Sequence, residues 1–188
     1  LQWAIQGKLV PQDPNDEPAS VLLERIRAEK ARLVKEKKIK KDKNESIIYR
    51  GEDNSYYEKF LATREVKCID EEIPFEIPAT WEWCRLLSIV SLLGDGIHGT
   101  PEYSEGGSVY FINGNNLFDG QILIKPDTKT VSKEEAVKHS RLLNESTVLV
   151  SINGTIGNIA FYSGENVILG KSACYFNLLN GIERKYIN

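Results

Sequence analysis

The clearest pattern in the chain is a set of apolar positions near its start. Ala19, Leu22, Ile26 and Leu33 recur at spacings of three, four and seven, the seam of a short coiled coil, interrupted at Glu29 where another apolar residue fits the register. Upstream, Asp13-Pro14-Asn15-Asp16-Glu17-Pro18 supplies turn residues, acids and a proline where a helix N-terminus wants them. This predicts a helix from near Pro18 to about Lys38, ~33 Å long at 1.5 Å per residue. Such a helix is not stable alone, so its stripe has to dock, on a partner helix or on its own domain. The lysine-rich run Lys35–Lys43 reads as a solvated helix end, because cations favour the C-terminal dipole and the run has no aromatic for base stacking.

Beyond the helix the pattern changes twice. The polar stretch Asn44–Tyr57, centred on Gly51-Glu52-Asp53-Asn54-Ser55, predicts a linker or mobile loop over 45–72. From Ile73-Pro74-Phe75-Glu76-Ile77-Pro78 the backbone is held extended by proline, with Trp81 and Trp83 as apolar anchors, and a domain is predicted over 73–188. Leu86–Leu93 is read as a short helix. Strand-like runs follow at Val109–Ile112, Gln121–Ile124, Thr147–Ile152, Ile159–Tyr162, Val167–Leu169 and Ala173–Leu178. Ser132-Lys133-Glu134-Glu135 is a capping box, predicting a helix over 133–142, and Asn153-Gly154 is the strongest hairpin signal. The expected fold class is α+β: a helical arm of coiled-coil type over 1–44, then a mainly β domain with short helices.

Composition narrows the function classes. Cys68, Cys84 and Cys174 are odd in number, widely spaced and accompanied by only His98 and His139, which argues against a disulfide scaffold or a zinc site. No apolar run approaches a membrane span, and the start lacks a basic segment followed by an apolar one, so the expectation is a cytoplasmic protein without a membrane partner. A leading Leu and the absence of Met fit an excerpt of a longer chain. The net charge of -3 conceals a split, +4 through Asn44 and -7 thereafter. An acidic domain is awkward for phosphate contacts, which need a local positive surface.

Three glycine-rich loops carry the candidate chemistry. Gly94-Asp95-Gly96-Ile97-His98-Gly99-Thr100-Pro101 lacks the Gly-Lys-Ser/Thr of a phosphate loop, and Asp95 and His98 have no nucleophile assigned to them. Such a loop more simply brings backbone N–H groups and small polar side chains to a surface. Asn113-Gly114-Asn115-Asn116 and Ser151–Asn158 are alike in kind. Their amides suit adenine edges and their hydroxyls phosphates, although Asn and Gly are also ordinary turn residues. Lys125, Lys129, Lys138, Arg141 and Lys171 are the cations available for a basic face.

In order along the chain, Ala4–Pro14 with Ser20–Lys30 resembles the spacer of type I restriction-modification specificity subunits. Glu72–Pro78 leading into Trp81-Glu82-Trp83 resembles the start of their target recognition domain, and Asp95–Pro101, Tyr110–Ile112 and Val148–Gly157 resemble its successive motifs. The resemblance implies a non-catalytic chain that recognises one half of a bipartite site in double-stranded DNA and docks methyltransferase and restriction subunits. Methyl transfer and ATP-driven cleavage then belong to those partners, and this chain needs no cofactor and no metal. The DNA-binding residues expected on this reading are His98, Thr100, Tyr103, Asn113, Asn115, Asn116, Lys125, Lys129, Asn153, Thr155 and Lys171, with Ala19, Leu22, Ile26 and Leu33 as the helix-packing seam. Two other readings compete: a protein-interaction module that uses the arm and binds no DNA, and a small hydrolase built on Asp95 and His98.

Overall fold

A computed structural model describes residues 1–187, and the fold is α+β. The chain divides into two compact units, Leu1–Ile89 and a second from Val90 onward. Among the described residues no helix is long and apolar enough to cross a membrane.

The first unit contains α1 (Gln2–Ile5), α2 (Ala19–Lys35), a three-stranded antiparallel sheet of β1 (Ser46–Arg50), β2 (Tyr56–Phe60) and β3 (Val66–Cys68), and α3 (Leu86–Ile89). Helix α2 starts where the proline predicts, with Pro18 as N-cap, and stops at Lys35, three residues short of the expected end. The stripe that suggested a partner helix is partly covered: Ile26 is 2% exposed, and Leu22 and Leu33 are half-buried. Lys30 is 6% exposed and its ammonium donates to the Leu87 carbonyl at α3. A long side chain with a satisfied head thus fills the face beside the break at Glu29.

The span 45–72, expected as a linker, folds as this sheet. Its inward positions are polar, which hid the strand alternation. Ser46 (8% exposed) and Glu58 (4%) face each other in the buried layer, and the Ser46 hydroxyl donates to Glu58. Arg85 supplies the counter-charge, with Nε 3.1 Å from Glu58 Oε1 and its other nitrogen on Glu58 Oε2 and, at 2.8 Å, on Glu72. That fork holds the Glu58 carboxyl below its ordinary pKa and raises the Arg85 pKa. At the β1–β2 turn the Tyr57 hydroxyl donates to Asp53 at 2.8 Å, which pushes the phenol up to about 12.

The expected domain start at 73 also moves. Residues 73–89 pack on the N-terminal segment: Gly7 lies against Pro78, the Trp81 indole donates to Gln12 at 2.9 Å, and the Ala19 N–H bonds the Thr80 carbonyl at 2.9 Å. Proline marks an extended backbone but does not say which neighbour it lies along.

The second unit contains β4 (Val90–Asp95), β5 (Val109–Ile112), β6 (Leu117–Phe118), β7 (Gln121–Ile122), β8 (Thr130–Val131), α4 (Lys133–Lys138), β9 (Thr147–Ser151), β10 (Ile159–Phe161), β11 (Val167–Leu169) and β12 (Ala173–Leu178). The predicted strand runs fall on β5, β7 and β9–β12. The apolar run read as a helix over Leu86–Leu93 splits into α3 and the start of β4. One sheet has the order β10-β9-β12-β4 and is antiparallel throughout; a second has the order β11-β5-β8, with β11 and β5 parallel. Their inner residues Ile112, Leu149, Ala160, Leu169, Ala173 and Tyr175, together with Leu117 of β6, form one core cluster, each no more than 5% exposed. Asn153-Gly154 lies in a hairpin as predicted, but its loop runs from 152 to 158. The tight two-residue hairpin is elsewhere, at Asp119-Gly120 between β6 and β7, with φ of 47° and 75°.

Replacing Arg85 with Ala strands the buried Glu58 carboxylate. Chemical denaturation at neutral pH is expected to show a loss of about 1–3 kcal/mol. The loss should shrink in acid, where Glu58 takes up a proton.

Candidate nucleic-acid interface

Four loops of the second unit meet at the short turn after β11, and glycine makes the meeting possible. The Gly170 N–H bonds the Ile112 carbonyl at 2.8 Å, and the Ile97 N–H bonds the Leu169 carbonyl at 2.7 Å. A Cβ on Gly96 would lie 2.1 Å from the Gly170 carbonyl oxygen, and one on Gly170 would lie 2.2 Å from Asn113 Oδ1. Ser172 extends the junction: its hydroxyl donates to Asn113 Oδ1 at 3.0 Å and accepts from the Gly114 N–H at 2.9 Å, while its carbonyl accepts the Ile152 N–H at 2.9 Å. The loops at 96–100, 113–116, 152–158 and 170–172 are thereby bonded to one another. Sequence separation hid this convergence, and neither Gly170 nor Ser172 stood out in the sequence.

Next to this hub lies a cleft of about 160 Å³ lined by Tyr103, Phe111, Asn113, Asn115, Asn116, Lys125, Asp127, Thr128 and Lys129. Six of the expected DNA-binding residues share it. Lys125 and Lys129 face one acid, Asp127, so the cleft is locally positive within an acidic domain. The Lys125 ammonium donates to the Asn115 carbonyl at 2.7 Å. Tyr103, 48% exposed, has its ring 5.9 Å from that of Phe111.

The structure separates the candidate residues by availability. Asn116 is 4% exposed; Oδ1 accepts the Asn113 N–H, and Nδ2 donates to the Leu123 carbonyl and to the Thr128 hydroxyl. With both amide hydrogens committed it braces the loop, which removes it from the set of base-contacting groups. Asn113 is half-buried with its oxygen on Ser172. Asn115 is exposed, and among the described residues its amide makes no hydrogen bond. His98, Thr100, Asn153, Thr155 and Lys171 are all exposed around the hub. Arg141 is spent on the backbone, with Nε 3.1 Å from the Asp95 carbonyl.

His98 Nε2 lies 3.6 Å from Asp95 Oδ2, with both side chains more than half exposed, and among the described residues no hydroxyl or thiol bonds to His98. An open pair without a nucleophile does not make a hydrolytic centre. Among the described residues no three His, Cys, Asp or Glu side chains are grouped to hold a metal ion.

Glu135 is a site residue that sequence reading misplaced. Ser132 caps α4 as expected, its hydroxyl accepting the Glu135 N–H at 3.1 Å, but the Glu135 carboxylate does not return to the cap. It is 6% exposed and accepts the Glu102 N–H at 3.1 Å, the Lys138 ammonium at 2.8 Å and His139 Nε2 at 3.2 Å. The backbone just before Tyr103 is latched in this way to α4. The Lys138 ammonium, the Glu102 N–H and His139 hold the carboxyl down to about 2.

A surface assembled from short polar loops on β-strand ends, beside a locally positive cleft, is suited to recognition. The particular relatives agree. The chain is 38% identical over 158 residues to the EcoAI type I restriction enzyme specificity subunit of Escherichia coli, and 33% identical over 156 residues to the EcoEI type I restriction enzyme specificity subunit of the same organism. These alignments take in 84% and 82% of this chain, so it is a homologue of type I restriction enzyme specificity subunits. It spans about a quarter of their length, 23% in each case. No protein-family model matches it.

Two predictions follow from the hub and the latch. Gly170→Ala puts a Cβ 2.2 Å from Asn113 Oδ1 and 2.8 Å from the Phe111 ring, and is expected to cost about 1–3 kcal/mol and to speed amide exchange in 113–116. Gly99→Ala, where an added Cβ meets nothing within 4 Å, should stay within about 0.5 kcal/mol of the parent. The Glu135 pKa is depressed when folded, so its stabilisation is complete above the ordinary value of 4.5 and is lost as pH falls toward about 2. Exchange at the Glu102 amide, referenced to the intrinsic rate, should lose protection across that window in the parent and show no such step in Glu135→Ala.

Proposed function

We propose that this chain is a non-catalytic part of a DNA sequence-specificity subunit of a type I restriction-modification system, reading one half of a bipartite target in double-stranded DNA. The observation that carries the proposal is the convergence of four polar loops on Gly170 beside a locally positive cleft, in a chain homologous to specificity subunits. In this reading Lys125, Lys129 and Lys171 meet phosphates, which positions the duplex. Asn115, His98, Thr100 and Tyr103 stand where base edges pass. Methyltransferase and restriction subunits supply the chemistry in the cytoplasm. Helix α2 contributes to their docking through what its own unit leaves uncovered of Ala19, Leu22 and Leu33.

The test uses the full-length subunit assembled with its modification partner. The methylated bases are mapped first, and binding is then measured against salt. Lys125→Ala with Lys129→Ala should weaken all sequences alike and reduce the log–log salt slope by about 2. Asn115→Ala should relax selection at one position. Unchanged affinity, slope and target in these variants would overturn the assignment of this face. The charge of -7 after Asn44 favours a second reading, an interaction module without DNA. Stable assembly with no DNA footprint at any salt is the result that would establish it.

A further inference from the structure

The loop joining β9 to β10 carries no charge: from Ser146 to Gly164 the sequence contains no Asp, Glu, Lys, Arg or His. The cations that suit phosphates stand on other loops. What this loop presents is an apolar group beside a hydrogen-bond donor. Ile156 is 76% exposed, lying between Gly154 and Gly157, whose φ angles are 77° and 90°. The exposure is held in place. The Ser151 hydroxyl donates to the Thr155 carbonyl and accepts the Asn158 N–H at 2.9 Å, and the Gly157 N–H bonds the Ser151 carbonyl at 2.9 Å. A β-branched side chain on a braced loop has few rotamers to lose when it meets a surface.

Asn153 defines the polar half. Its Oδ1 accepts the Gly154 N–H at 2.8 Å, and the residue is exposed. An asparagine reading adenine needs its oxygen to accept from N6 while its nitrogen donates to N7. With one lone pair of the oxygen already taken by its own loop, Asn153 is better supplied for donating than for the paired donor and acceptor that adenine needs. In the major groove thymine is the base that presents an acceptor, O4, next to a methyl group.

We propose that the Asn153–Gly157 loop recognises a thymine in the major groove, with Ile156 against the 5-methyl group and the Asn153 amide donating to O4. This deepens the DNA-reading assignment and rests on it. The assembled full-length enzyme is titrated with duplexes of its mapped target in which each thymine of the half-site is replaced in turn by deoxyuridine, which removes only the methyl. The parent should lose about fourfold in affinity at one position. Ile156→Ala should lose a similar factor on the thymine duplex and be indifferent to deoxyuridine at that position. Because Ile156 is exposed, its thermal midpoint should match the parent's. A half-site without thymine, or a deoxyuridine penalty that Ile156→Ala leaves intact at every position, overturns the proposal while the DNA assignment stands. Absence of any sequence-selective binding by the parent enzyme strikes the DNA assignment and this inference together.

Discussion

Backbone must touch backbone at Gly170 for the second unit to have a site at all. The turn after β11 sits where β5 ends and where the chain leaves β4, and no room remains for a Cβ on either Gly96 or Gly170. Once those strands close on one another, Ser172 is carried against Asn113 and Gly114, and Ile152 is carried against Ser172. The recognition surface is therefore set by strand ends, which the sheets hold rigidly, rather than by the loops' own preferences. Loops of this composition would otherwise sample many conformations.

Buried polar groups do comparable work in both units. Glu58 with Arg85, Lys30 with the Leu87 carbonyl, Asn116 with its three partners and Glu135 with the Glu102 N–H are each satisfied from a different element. A buried polar group left unpaired is costly, so each of them selects one register for the element it joins. This is why residues that look like surface chemistry in the sequence serve as framework. Asn116 and Glu135 resemble a base reader and a helix cap, yet both are braces. Asn115, Asn153, Thr155 and Ile156 are exposed side chains of the glycine-asparagine loops.

Local pattern alone located much of the fold. Short strand-like runs marked β5, β9, β10, β11 and β12, Pro18 marked the start of α2, and Ser132 marked the start of α4, because these depend on contacts a few residues away. The Asp119-Gly120 hairpin was equally legible and went unmarked beside Asn153-Gly154. The β1–β3 sheet was not legible, since its buried layer holds Ser46 and Glu58 and its counter-charge comes from Arg85, 27 residues beyond Glu58. The identity of the glycine-asparagine loops as candidate interface came from motif order, and the similarity to specificity subunits extends over 84% and 82% of the chain.

Sequence by itself determined the start of α2, most strands of the second unit, the acidic balance after Asn44 and the polar, glycine-rich character of the loops, all of which are properties of neighbours along the chain. Tertiary structure decided which loops meet, which amides are spent and which side chain of each loop faces water. It also decided that Ile26 is buried and that residues 73–89 belong with the N-terminal segment. Those outcomes depend on atoms far apart in sequence competing for the same few ångströms, at Gly170 above all. No local propensity records that competition.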